Sequence, residues 1–79
     1  MHKVILPELG EGVKKATIAC WHVKAGDSVS ADDDIVELVT DKASFNVPAD
    51  ADGIVGQIYF EEGQDAEIGS TLAVIKTNE

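Results

Sequence analysis

A lysine stands where a turn residue is expected. Ile35-Val36-Glu37-Leu38-Val39-Thr40 and Ala43-Ser44-Phe45-Asn46-Val47 are short β-prone runs, and Asp41-Lys42 lies between them. Two-residue hairpin loops favour Asn-Gly or Asp-Gly, because both central positions take positive φ. A lysine there implies either a different turn type or a residue kept for its side chain. At such a turn Lys42 stands in solvent, between the acidic Asp41 and the small Ala43. A solvated turn has no apolar pocket of the kind that makes a lysine amine nucleophilic. Covalent attachment of a group to this amine therefore fits better than catalysis. On spacing alone, an ordinary solvated turn lysine is the commoner explanation.

No other reactive side chains form a comparable pattern along the chain. His2 and His22 are far apart, with no Cys or acidic ligand at metal spacing, so no metal is expected. Asp32-Asp33-Asp34 lacks the spaced ligands and the glycine of a calcium loop and reads as a solvated acidic turn. Glu61-Glu62 and Asp65 read the same way. Paired carboxylates for acid–base catalysis need a cleft, which so small a domain hardly offers. Cys20 alternates onto the side opposite Trp21, with only His22 near it in sequence, and a reactive thiol is not expected. Trp21 reads as core or half-buried, beside Ile18 and Val23.

The elements that must present Lys42 are short. The chain has 79 residues, enough for one domain over 1–79, and six Lys and Arg against fifteen Asp and Glu leave it at −9. Nucleic acid and anionic membranes are improbable partners for such a surface. No apolar run exceeds the length of Ile18 to Trp21 or Leu72 to Ile75, too short to span a bilayer or form a signal-peptide core. The single Cys20 forms no internal disulfide, which fits a reducing compartment. Self-repulsion favours a soluble, monomeric particle. Apolar runs broken by Gly, Pro and Asp every 8 to 12 residues, with no sustained helical period, predict an all-β fold.

An internal repeat sharpens that expectation. A shift of 37 residues lays Gly26 on Gly63, Ile18 on Val55, Trp21 on Ile58 and Val23 on Phe60. It also lays Val29 on Ala66, Ile35 on Leu72 and Leu38 on Ile75. A shift of 41 lays Pro7 on Pro48, Leu6 on Val47 and Val4 on Phe45. The first half thus carries extra residues between its first two strands, within Glu8 to Lys15. Two similar halves predict two similar antiparallel sheets packed about a pseudo-twofold axis, a flattened barrel-sandwich. Asp41-Lys42 matches Asn78-Glu79, so Lys42 tops a hairpin at one end and both termini lie at the other.

These residues carry a resemblance. Asp41-Lys42-Ala43-Ser44, followed by Val47-Pro48-Ala49 and Gly53, resembles the lipoyl attachment region of 2-oxo acid dehydrogenase complexes. Leu6-Pro7-Glu8-Leu9-Gly10-Glu11-Gly12 resembles the start of their dihydrolipoamide acyltransferase chains. Val23-Lys24-Ala25-Gly26-Asp27-Ser28-Val29 is similar to the family's first glycine turn. The resemblance runs over roughly residues 3 to 76.

What the resemblance implies is specific. Lys42 would bear lipoic acid through an amide on its ε-nitrogen, taking the net charge from −9 to −10. A thiamine-diphosphate-dependent 2-oxo acid decarboxylase would load the dithiolane with an acyl group. An acyltransferase catalytic domain would pass that group to coenzyme A, and a flavin-dependent dihydrolipoamide dehydrogenase would reoxidise the arm. The domain would contribute tethering, while the cofactor contributes the chemistry. By the same resemblance, Asp41 and Ala43 help the lipoylating enzyme recognise its lysine, and Gly26 and Gly53 form turns that set the display of the hairpin. Glu8, Leu9, Gly10, Glu11 and Gly12 belong to the loop by which the decarboxylase discriminates its carrier.

The resemblance leans toward the pyruvate complexes through Asp-Lys-Ala-Ser with Val-Pro-Ala. It implies the bacterial cytoplasm or the mitochondrial matrix, the former favoured. The abrupt Thr77-Asn78-Glu79 end fits an N-terminal module excised from a longer chain. Val39 departs from the family, which often has an acidic residue three positions before the lysine, and Asn46 departs without an assignable role. A biotin carrier of a carboxylase is one alternative, although those lysines usually sit between methionines. An unmodified adaptor of the same shape is the other.

Overall fold

The short, interrupted apolar runs become eight strands in a computed structural model, which describes residues 1–77. They are β1 (His2–Ile5), β2 (Lys15–Trp21), β3 (Ser28–Val29), β4 (Asp34–Val39), β5 (Ser44–Pro48), β6 (Gly53–Ile58), β7 (Asp65–Glu67) and β8 (Thr71–Thr77). No helix occurs among the described residues. Two four-stranded sheets form, in the orders β1-β8-β6-β3 and β5-β4-β2-β7, and every pairing is antiparallel.

The repeat governs this topology. Replacing each strand of the first sheet by its mate four elements away gives the order of the second. Each half supplies two strands to each sheet, so the halves interlock; neither builds a sheet of its own. Neither half can close its core without the other, and together they give each sheet four strands.

Irregularities repeat as well. The β2–β4 pairing slips at Ala19 and the β6–β8 pairing slips at Gly56, 37 residues later. Ile35 is the extra residue where β4 meets β5, and Leu72 is the extra residue where β8 meets β1. Such bulges bend and twist a strand, and here they let consecutive residues such as Ile35 and Val36 both point inward, each fully buried.

Between the sheets, the repeat-matched pairs Ile18/Val55, Val29/Ala66, Ile35/Leu72 and Leu38/Ile75 are all buried. Leu6 and Val47, matched at the longer shift, join them. Trp21 and Val23, with their mates Ile58 and Phe60, are half-buried against the core's edge. The Trp21 indole Nε1–H donates to Phe60 O at 2.8 Å, which satisfies its polar tip.

The glycine turns repeat in detail. Gly26 N donates to Val55 O at 2.7 Å and Gly63 N donates to Ile18 O at 2.8 Å. Both glycines take positive φ, +97° and +91°, a backbone region that side chains with a Cβ rarely enter. Asn78 and Glu79, the expected mates of Asp41-Lys42, lie outside the described residues.

Candidate functional site

Lys42 lies at the tip of the β4–β5 hairpin. Val39 pairs with Ser44, and Thr40 N donates to Ala43 O at 2.8 Å, leaving Asp41-Lys42 as the loop. Neither loop residue has positive φ, so the turn is not of the primed type that Asn-Gly favours. Thr40 makes this possible. Its Oγ1 accepts the Lys42 and Ala43 N–H groups, both at 3.2 Å, and its hydroxyl lies 3.1 Å from Ala43 O. A hydroxyl thus replaces the second main-chain bond of a tight hairpin, a local side-chain-to-backbone contact of the kind Ser and Thr favour at turns. Thr40 is the turn residue that the sequence pattern did not single out.

The Lys42 side chain is exposed, as are Asp41 and Ala43. Among the described residues the ion pairs are Lys15–Asp65 and His2–Asp50, both at 3.6 Å, and neither engages Lys42. An amine held on an ordered turn, solvated and without a carboxylate partner, is open to a modifying enzyme. These residues fit an amide-linked prosthetic group.

A groove of about 590 Å³ opens beside the turn. One wall is Thr40, Asp41 and Lys42; the opposite wall includes Gly12, Val13 and Lys14 from the β1–β2 connection. That connection spans nine residues, 6–14, against four, 49–52, between β5 and β6. It is tied at both ends: Gly69 N donates to Leu6 O at 3.0 Å, and Ile68 N donates to Lys14 O at 3.0 Å. Glu8, Gly10 and Glu11 are exposed but do not line the groove. Leu9 is partly buried and packs against the core. Gly10 and Gly12 take φ of +144° and +82°.

Asp65 forms part of the groove floor. Its carboxyl is held below the ordinary value chiefly by the hydrogen bond from Thr17 Oγ1 at 2.6 Å; desolvation opposes this, and Lys15 adds to the lowering. Val39, the departure noted above, is 39% exposed and lines the same groove. An apolar face therefore replaces a charge beside the lysine.

Gly53 requires a correction. It does not take positive φ and forms no left-handed turn. It opens β6, and a Cβ there would overlap the Lys76 carbonyl oxygen and stand 2.9 Å from the carbonyl carbon. Close approach of β8 is what demands glycine. Gly26 bonds to β6. Both glycines serve the sheet that does not carry the hairpin, so any influence on the lysine's display passes through the packed core.

The remaining candidates fall into place. Asp33 Oδ2 accepts Ser30 N–H at 2.9 Å, so the acidic run closes a turn. The Cys20 thiol is pushed up by burial and then by the charges of Glu37 and Glu62, the reverse of a reactive thiolate. The fold does bring Cys20, His22 and Glu37 together, a grouping invisible in their linear spacing.

Comparison with known proteins agrees with this fold. The sequence model of the family described as "Biotin-requiring enzyme" matches residues 2–75. The dihydrolipoyllysine-residue succinyltransferase component of the 2-oxoglutarate dehydrogenase complex of Rickettsia conorii is 40% identical over 73 residues, covering 92% of this chain and 18% of that protein. The corresponding protein of Escherichia coli K12 is 47% identical over 60 residues, 76% of this chain and 15% of that one. The lipoamide acyltransferase component of the branched-chain alpha-keto acid dehydrogenase complex of Bacillus subtilis is 36% identical over 77 residues, 98% and 18%. The chain therefore spans less than a fifth of the length of these curated relatives. The solution structure of the lipoyl domain of the 2-oxoglutarate dehydrogenase complex of Azotobacter vinelandii superposes with a TM-score of 0.81 at 32% identity, covering all of both chains. These relatives name 2-oxoglutarate and branched-chain complexes; the lean toward the pyruvate type finds no support among them.

Proposed function

Because the chain belongs to the biotin- and lipoyl-attachment family, as a lipoyl domain of the kind found in 2-oxo acid dehydrogenase complexes, we propose that Lys42 is its attachment residue. One observation carries the assignment: an exposed lysine, with no ion-pair partner among the described residues, at the tip of a turn whose backbone is pinned by Thr40. Bound lipoic acid supplies reversible dithiol–disulfide and acyl-carrying chemistry. The chain's own residues position it. Thr40 fixes the turn, Asp41 and Ala43 give a small, acidic approach for the lipoylating enzyme, and the groove sets the surface that partners meet.

The parent protein is, on this reading, the acyltransferase of a 2-oxo acid dehydrogenase complex. The succinyl, 2-oxoglutarate type is favoured by the identities of 40% and 47% to succinyltransferase components. The domain then visits three partners: a decarboxylase that loads it, the acyltransferase catalytic domain that unloads it, and dihydrolipoamide dehydrogenase, which resets it. Tethering raises the effective concentration of the arm at each site.

Expression with both lipoate and biotin available, followed by intact-mass measurement, tests the attachment. A lipoyl increment that disappears in Lys42→Ala is expected. A biotinyl increment, or no increment in the presence of competent ligases, overturns the reading. Incubation of the lipoylated chain with 2-oxoglutarate-specific and pyruvate-specific decarboxylases then separates the types. Faster acyl loading by the pyruvate enzyme refutes the succinyl assignment.

A further inference from the structure

The outer face of the β5-β4-β2-β7 sheet carries a row of side chains that the carrier function does not use. Cys20 of β2 pairs in register with Glu37 of β4, and Glu37 pairs with Asn46 of β5. His22 follows Cys20 by two residues and so stands on the same face, with its N–H donating to Ile35 O at 2.8 Å. The row thus gathers a thiol, an imidazole and a carboxylate whose ligand atoms all lie within 4.8 Å of one another. None of the three lines the groove beside Lys42.

We propose that Cys20, His22 and Glu37 form a binding site for a divalent transition metal of the zinc class, with Asn46 orienting His22. Thiolate, imidazole and carboxylate are the donors that zinc uses, and three protein ligands leave a fourth position for water. The geometry is close to what such a site needs. Metal–sulfur and metal–oxygen bonds of about 2.3 and 2.1 Å at a tetrahedral angle place the two ligand atoms about 3.6 Å apart. Cys20 Sγ and Glu37 Oε1 are 3.8 Å apart.

The imidazole is already oriented. His22 Nε2 lies 3.1 Å from Asn46 Oδ1. An amide oxygen only accepts, so this contact calls for an N–H on Nε2, and a metal bound by the neutral ring would then take Nδ1. A metal-bound histidine ordinarily donates its other N–H to such a carbonyl. Charge favours the cation as well: Glu37 and Glu62 both bear on Cys20, and a divalent ion would neutralise Glu37 while displacing the thiol proton to solvent. Asn46, without a role in the carrier reading, gains one here.

Titrating the unlipoylated chain, whose sole thiol is Cys20, with Co²⁺ and then Zn²⁺ tests the site. One equivalent of Co²⁺ is expected to produce d–d bands and a thiolate-to-cobalt charge-transfer band, both removed by Zn²⁺. Cys20→Ser should abolish the charge-transfer band. His22→Ala, Glu37→Gln and Asn46→Ala should each weaken binding by about 10-fold or more, and His2→Ala should bind as the parent chain does. Melting curves establish that each variant is folded. Absence of the charge-transfer band overturns the proposal. So does its survival in Cys20→Ser, undiminished affinity in both His22→Ala and Glu37→Gln, or loss of binding in His2→Ala, which would place the ion at the N-terminus.

Discussion

Replacing Thr40 by valine removes one hydroxyl at nearly constant shape, and the consequence for the lysine turn can be worked out. The hydroxyl accepts two N–H groups and lies 3.1 Å from a third partner, Ala43 O. A typical intramolecular hydrogen bond contributes about 0.5–1.5 kcal/mol net. At 3.2 Å and exposed to water these bonds belong at the low end, since solvent replaces them when they break. Together they stabilise the closed turn by about 1–2 kcal/mol, a factor of roughly 5 to 30 in its local opening constant. Amide hydrogen exchange at Lys42 and Ala43 should accelerate by that factor in Thr40→Val. Exchange in the core strands should change little, because Thr40 lies outside the buried set. A lipoylating enzyme that reads the closed turn should slow by about 2- to 10-fold, following the lost population. Thr40→Ser keeps the hydroxyl and should restore both readouts. If Lys42 and Ala43 exchange at parent rates in Thr40→Val, the hydroxyl does not hold the turn and the account of the site fails at its base.

Other perturbations test separate parts of the structure. Gly53→Ala drives a Cβ into the Lys76 carbonyl and should cost about 3 kcal/mol, lowering the melting temperature by roughly 12–24 °C; Gly56→Ala, whose Cβ would meet only side-chain atoms at 3.4 Å or more, is the control, and equal melting of the two variants refutes the close-approach argument. Thr17→Val removes the bond that chiefly depresses Asp65. A lowered native pKa stabilises above the unfolded value near 3.8 and loses that contribution as pH falls through the native one, so parent and variant melting temperatures should differ at neutral pH and converge in acid; a difference constant down to pH about 2 contradicts the linkage. Glu8→Gln with Glu11→Gln should slow acyl loading by the decarboxylase about 2- to 10-fold through lost steering and leave lipoylation unchanged; unaltered loading kinetics remove these carboxylates from recognition.

How far the sequence reached depended on whether the information was local. The repeat at 37 residues was legible because it fixes side-chain identity at matched positions, and Ile18/Val55, Ile35/Leu72 and Leu38/Ile75 are buried together. The interlocking of the halves was not, because strand patterns state which face is apolar and not which neighbour pairs with it. Lys42 was conspicuous as a residue unsuited to a primed turn. The reason it is tolerated lies in Thr40, whose hydroxyl acts only once Val39 and Ser44 are in register. Gly53 looked like a turn glycine because its partner, the Lys76 carbonyl, arrives from a strand more than twenty residues later. Cys20 and Glu37 are likewise brought side by side only by the β2–β4 register.

The pseudo-twofold also bears on why the site is where it is. Two halves of one design cannot differ in function except where they differ in structure. The first difference is the longer β1–β2 connection, 6–14 against 49–52. The second is the β4–β5 hairpin, which exists because the last strand of the first half runs on into the first strand of the second. These differences are distant in sequence, yet Gly12, Val13 and Lys14 from one and Thr40, Asp41 and Lys42 from the other line a single groove. The β2 strand brings them together, since it leaves the long connection at Lys15 and pairs Thr17 with Val39. The core and the opposite sheet follow the repeat and are under no demand to distinguish partners. On the proposed function, decarboxylase recognition falls on the long connection and the hairpin it faces, so exchanging residues 6–14 between carriers of different 2-oxo acid complexes should transfer decarboxylase preference while leaving attachment at Lys42 intact. Acyl loading by each complex's decarboxylase is the readout. Preference that stays with the strands after the exchange would refute this localisation.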